Sequence, residues 1–238
     1  MTAAETKQLF LILYDKVTNL AAPGYTNAEI TSFLNKAQLQ FIKQRYNEKG
    51  NKYQEGYEET EKRRKDLSEL TSNINLVSSD LSSNQVGVSP NGSLYNLPKD
   101  FLYTLREEIT VSSTDACDNG KRIKVKPVSH DEYTININNP WKKPSIELAW
   151  RLDFKSDNSA NSTGVLRHEI ITDGSYTIDT YHVRYLKIPV EIDIDNDVPS
   201  ELHESVHDEI VDIAVRIATG ITDPASYNVK RQEESQTE

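Results

Sequence analysis

Pro199-Ser-Glu-Leu-His-Glu-Ser-Val-His-Asp-Glu-Ile-Val-Asp-Ile-Ala-Val-Arg-Ile-Ala-Thr-Gly220 is the stretch that decides how this chain must fold. Leu202, Val206, Ile210, Ile213, Ala214 and Ile217 recur at helical spacing, and Val211, Val215 and Ala218 widen the stripe. A helix this apolar must be covered on more than one side. Pro199-Ser200 opens it and Gly220 ends it. The residues before it read as strands, so its partner face has to come from elsewhere in the chain.

That face lies near the start. Thr26-Asn-Ala-Glu29 spells a capping box, and Ile30, Phe33, Leu34, Ala37, Phe41 and Ile42 follow along one side of a helix that ends near Asn47. Thr2-Ala-Ala-Glu5 is a second capping box, followed by Leu9, Phe10, Leu13, Tyr14, Val17 and Leu20, with a break at Ala21-Ala-Pro-Gly24. The highly charged run Tyr53–Leu70 suits an exposed helix with Tyr57, Leu67 and Leu70 as its few contacts.

After Ile74 the pattern changes. Phe101–Val111, Lys121–Val128, Ser145–Leu152, Val165–Thr172 and Tyr176–Ile188 are rich in β-branched and aromatic residues. Turn signals separate them at Asp118-Asn-Gly120, Asn138-Asn-Pro140, Asp157–Gly164 and Asp173-Gly174, the last reading as a hairpin. The expected fold is α+β: two to three N-terminal helices plus the C-terminal helix, with an inserted antiparallel β-sandwich or small barrel. The expected boundaries are 1–75 for the N-terminal helical part, 76–196 for the β domain, 197–220 for the closing helix and 221–238 for an extended tail.

Composition limits what such a fold can do. Of 238 residues, 36% are hydrophobic and the net charge is -10. That acidity argues against gripping phosphates and sequence-specific nucleic-acid binding. Twelve Tyr against five Phe suit half-exposed surfaces and interfaces. The single cysteine, Cys117, allows no intrachain disulfide and no multi-cysteine metal site. No apolar run approaches the ~18 residues of a membrane span, and Met1–Lys7 lacks a signal-peptide core. The expectation is a soluble protein made in a reducing cytoplasm.

Three motifs bear on chemistry. His203-Glu204-Ser205-Val206-His207 has the zincin spelling, two histidines at i and i+4 with a Glu as general base. It falls in the opening turns of its helix and has no downstream ligand at metzincin spacing. The apolar stripe should turn His203 and His207 outward, away from any pocket, so a helix surface is the expected reading and a zincin-like metallopeptidase the outlying alternative. His130, His168 and His182 are scattered and read as ordinary surface or core histidines. Asp193, Asp195 and Asp197 resemble half of a calcium loop but lack its Gly and Glu, which leaves a solvated acidic linker. Lys121-Arg-Ile-Lys-Val-Lys126 places Arg122, Lys124 and Lys126 on one side of a strand. It reads equally as an amphipathic strand and as a basic strip for an acidic partner, another copy of this chain included. No catalytic, cofactor-binding or metal residue is expected.

The order of several short motifs resembles a known family. Asn96-Leu-Pro-Lys-Asp-Phe-Leu-Tyr103 leads into a strand. Val125-Lys-Pro-Val-Ser-His-Asp-Glu-Tyr133 and Asn139-Pro-Trp-Lys-Lys-Pro144 follow. Tyr185-Leu-Lys-Ile-Pro189 closes the sheet region, and Pro199–Glu204 with Asp208–Val215 opens the last helix. Across about residues 5–220 this order is similar to the head-to-tail adaptors of short-tailed phages, above all to the ring proteins of crAss-like phages. The resemblance implies a structural virion protein of the neck or tail, assembled in the host cytoplasm. It implies a homo-oligomeric, commonly dodecameric ring that connects the portal to the tail. Adjacent ring or tail proteins are its partners, and genomic DNA passes through its channel without sequence-specific binding. It implies no enzyme, no cofactor and no membrane. A different phage or bacterial β-sandwich interaction module, for tail or surface attachment, stays open beside it.

Overall fold

The computed structural model describes residues 1–17, 24–47, 56–78, 89–114, 117–156 and 165–222. Contacts divide the chain into two compact units. One is Met1–Leu70 together with the chain from Pro189 onward, and the other is Thr71–Ile188.

In the helical unit α1 spans Ala3–Val17, α2 Asn27–Tyr46, α3 Glu61–Asp66 and α5 His207–Thr222. Both capping boxes form. Thr2 Oγ1 accepts from the Glu5 amide at 3.2 Å while Glu5 accepts from the Thr2 amide at 2.9 Å. Thr26 and Glu29 repeat the exchange at the start of α2. Ile30, Leu34, Ala37, Phe41 and Ile42 are buried, as are Leu202, Val206, Ile210, Val211, Ala214, Val215 and Ala218. α5 packs on both α1 and α2, which is the cover its broad stripe requires. Each of the Leu, Ile, Val and Phe side chains among them contributes about 1.5–3 kcal/mol on full burial. An aromatic cluster of Phe10, Tyr14, Tyr25 and Phe33, with centroids 5.1–6.4 Å apart, fills the space beside it.

The charged run is less exposed than expected. Residues 53–55 lie outside the described residues; among the rest the α-helix covers Glu61–Asp66, a 3-10 turn follows at Ser68–Leu70, and Arg63 and Asp66 are buried along with Tyr57, Leu67 and Leu70. Arg45 explains Asp66. The guanidinium lies 3.4 Å from the Asp66 carboxylate and 2.5 Å from Glu209 of α5, and stacks over Phe41 at 5.0 Å. Burial pushes the Asp66 carboxyl above its ordinary range, against the pull of Arg45. The tie joins α2, α3 and α5.

The second unit is one seven-stranded sheet in the order β1-β7-β3-β4-β5-β6-β2. Its strands are β1 Thr71–Leu76, β2 Gly92–Asn96, β3 Phe101–Ser112, β4 Arg122–Pro127, β5 Leu148–Ser156, β6 Val165–Ile171 and β7 Thr177–Lys187. The α+β class holds, with the sheet unit inserted between the helices. The sheet is mixed, since β4 and β5 run parallel and the other neighbours antiparallel. Parallel neighbours need a crossover, and the short helix α4, His130–Asn136, lies within it. Tyr133 and Ile137 pack on Trp150, Leu152 and Ile171 on one face. Tyr95, Ile109, Ile123, Ala149, Ile170 and Tyr181 fill the other. Three register shifts along β3 bend the strand. The sheet curls far enough that Tyr95 of the edge strand β2 meets Tyr181 of β7 at 5.1 Å, a half-barrel.

One local expectation fails. Asp173-Gly174 does not make a hairpin, because β6 pairs with β5 and β2 while β7 pairs with β1 and β3. The turn chemistry is real: Asp173 accepts from the Ser175 amide at 2.9 Å, and Gly174 sits at φ 86°. The Thr172 amide, however, donates to the Asn91 carbonyl at 3.3 Å. That bond extends the β2–β6 ladder and sends β7 to the far side of the sheet.

Candidate assembly surfaces

The histidine motif is not a regular helix face. Glu204–Val206 form a 3-10 turn, and α5 starts only at His207. The two windings carry different residues per turn, so the phase shifts between the histidines. His203 is half-buried, and its Nδ1 accepts from the Ser205 amide at 3.2 Å as a cap. His207 corrects the expectation of an outward side chain: it is 5% exposed. It stands in line with Val211, Ala214 and Ala218, and its Nε2–H donates to the Leu202 carbonyl at 2.7 Å. Its Nδ1 is buried without a hydrogen-bond partner. With Nε2 committed to a carbonyl, the ring is a packing residue that closes the first turn. Glu204 is exposed. Among the described residues no three His, Cys, Asp or Glu side chains converge as a metal cage would need.

The acidic stretch is a fastened loop rather than a free linker. The Asn35 carboxamide accepts from the Ile192 amide at 2.7 Å and donates to the Ile192 carbonyl at 3.0 Å, and Ile192 is buried. Asp193 and Val198 exchange two backbone bonds. Asp193 accepts from Asn196 and from the Asp195 amide, which holds its carboxyl below the usual range. Asp195 takes a hydrogen bond from Asn27 at 2.6 Å. Glu191, Asp195 and Asp197 face solvent. These carboxylates satisfy the loop's own donors or point outward, so they do not converge on a cation.

The basic strip lies as its alternation requires. Arg122, Lys124 and Lys126 of β4 are exposed, Ile123 is buried and Val125 half-buried. Arg122 pairs with Glu108 at 3.7 Å and Lys126 with Glu132 at 2.8 Å. Cys117 is exposed. His182 bridges Thr110 and Asn75 between strands, and His130 begins α4. The tail expected over 221–238 starts later than Gly220 suggested, because α5 continues through Ile221 and Thr222; the rest of it, from 223 onward, lies outside the described residues.

A buried polar network had no single motif to announce it. Arg151 of β5 forms an ion pair with Glu107 of β3, and meets Asp153 at 2.9 Å and Thr104 at 3.1 Å. Tyr181 donates to Glu107 at 2.7 Å and lies 2.8 Å from His168 Nδ1, whose other nitrogen is 3.3 Å from Asp153. Burial pushes Glu107 up against the pull of Arg151, pushes Tyr181 up, and drives His168 down to about 3. His168 is therefore a neutral hydrogen-bonding ring at neutral pH. The visible signal is Arg151 inside the otherwise apolar Leu148-Ala-Trp-Arg-Leu152. Every member of the network bonds another member, so it ties β3, β5, β6 and β7 together, with only the Asp153 carboxylate reaching solvent.

Comparison with known proteins agrees with a structural reading. The chain is 29% identical over 192 residues to "Ring protein 4/5" of Bacteroides phage crAss001, covering 81% of this chain and 75% of that protein. It is 28% identical over 165 residues to "Ring protein 3" of the same phage, covering 69% of this chain and 66% of the relative. No described helix is long and apolar enough to cross a membrane. A family model for phage tail ring protein 3/4 matches residues 1–230, both units included, and the chain belongs to that family of structural phage ring proteins.

Proposed function

We propose that this chain forms a closed homo-oligomeric ring in the neck of a crAss-like phage, most simply a dodecamer, joining the portal to the tail and continuing the DNA channel. It acts by assembly rather than by catalysis. The observation that carries this is the family match over 1–230, which spans the helical unit and the inserted sheet together. Charge supports it. A net -10 per copy, repeated around a ring, repels DNA and lets a genome slide without sticking. The C-terminal segment 221–238 serves as a clasp on the portal or on a neighbouring ring, and assembly takes place in the host cytoplasm.

Native mass spectrometry of the purified chain, alone and with portal protein, tests the ring. A discrete closed oligomer is expected; a monomer that persists with portal present contradicts it. Deleting 221–238 should weaken portal docking, and unchanged docking would remove the clasp.

A further inference from the structure

Behind α4 the chain makes a tight turn. The Asn139 carbonyl accepts from the Lys142 and Lys143 amides at 3.1 and 3.0 Å, and Asn139 Oδ1 from the Trp141 amide at 3.0 Å. The turn holds Trp141 out at 94% exposure. Beside it is a groove of about 420 Å³, floored by Trp150 and Leu148 and rimmed by Trp141, Lys142, Lys143 and Lys126. Among the described residues Lys142 and Lys143 are exposed, and neither forms an ion pair. An exposed indole on a rigid turn, with unpaired cations beside it, has the character of an interface hot spot.

A closed ring needs two different complementary patches on each copy, because its contacts run head to tail. The groove is lined by three lysines and one carboxylate, Glu132, which pairs with Lys126, so Lys142 and Lys143 leave it net positive on a chain of net charge -10. The fastened acidic loop supplies the opposite character in the other unit. Glu191, Asp195 and Asp197 are exposed, and Val190 beside them is 53% exposed. Both patches are held by hydrogen bonds before contact, which reduces the ordering cost of association. We propose that the Trp141–Lys143 groove of one copy receives the Glu191–Asp197 loop of the next copy. This contact rests on the ring reading and supplies it with a subunit interface.

The test is self-association of the full chain by sedimentation velocity over a concentration series. Four proteins are compared: wild type, W141S, K142E/K143E, and K142E/K143E combined with E191K/D197K, which spares the Asp195–Asn27 bond that fastens the loop. All the altered side chains are exposed, and unchanged thermal melts confirm folding. W141S and K142E/K143E should each weaken association at least about tenfold, and the four-site variant should regain most of it. Equal association by wild type and both groove variants overturns the contact and leaves the ring standing. Weakening without recovery in the four-site variant overturns the acidic loop as occupant. DNA retained by wild type and lost in K142E/K143E, with association unchanged, assigns the groove to a polyanion instead. A wild type that never associates, alone or with portal protein, overturns contact and ring together.

Discussion

Asn35 and Ile192 are joined by two hydrogen bonds, side-chain oxygen to amide at 2.7 Å and side-chain nitrogen to carbonyl at 3.0 Å. One carboxamide thus satisfies both backbone groups of the residue where the chain, leaving the sheet, returns to the helices. Asn35→Ala leaves that pair of buried groups unpartnered. The expected loss is about 2 kcal/mol in the urea transition of the helical unit, followed by far-ultraviolet circular dichroism. No loss would mean that the strap does not fasten the loop.

The Tyr181 hydroxyl links Glu107 to His168 inside the sheet unit. Tyr181→Phe keeps the ring and removes the link, at a cost of roughly 1–3 kcal/mol. The expected readout is a lower urea midpoint for the sheet unit, with the helical transition unmoved.

His168 gives that unit a pH dependence. Its folded pKa of about 3 lies below the ~6.5 of an unfolded histidine. As pH falls below ~6.5 the unfolded chain takes up a proton that the folded chain refuses, so stability drops, by at most about 1.4 kcal/mol per pH unit. Glu107 acts in the opposite sense. Its raised folded pKa means that the folded state gains the proton first, which offsets part of the loss further down. Urea midpoints between pH 7 and 5 should fall in wild type and flatten in His168→Gln.

The alkaline side has its own signature. Burial raises Tyr95 and Tyr181 beyond the usual range and Tyr176 to about 12. The unfolded chain loses those phenol protons near pH 10 and the folded chain holds them, so stability falls as pH rises through 10. Titration followed at 295 nm should show these tyrosines ionising together with unfolding. Smooth ionisation of all twelve by pH 11, with the fold intact, would contradict their burial.

What could be read in the sequence follows from how local each signal is. Capping boxes and helix faces depend on three or four neighbouring residues, and both boxes formed. The five strands with β-branched and aromatic runs formed near their expected bounds, for the same reason. β1 and β2 were not visible, because both are short edge strands that must carry polar residues, Thr71-Ser-Asn-Ile-Asn-Leu76 and Gly92-Ser-Leu-Tyr-Asn96. α4 was hidden by its brevity. Asp173-Gly174 shows that turn chemistry fixes a reversal but not which strands pair. His207 was misplaced because one helical phase was carried through a 3-10 turn. Its alignment with Val211, Ala214 and Ala218 was the available clue. Of the groove, Pro140-Trp-Lys-Lys-Pro144 stood in plain view, but its neighbours Trp150 and Lys126 come together only once β4 and β5 run parallel.

The central claim is assembly, and negative-stain imaging of the purified chain mixed with portal protein reaches it most directly. The account predicts annular particles with rotational symmetry, docked coaxially on the portal. A field of single subunits beside undecorated portals would contradict it.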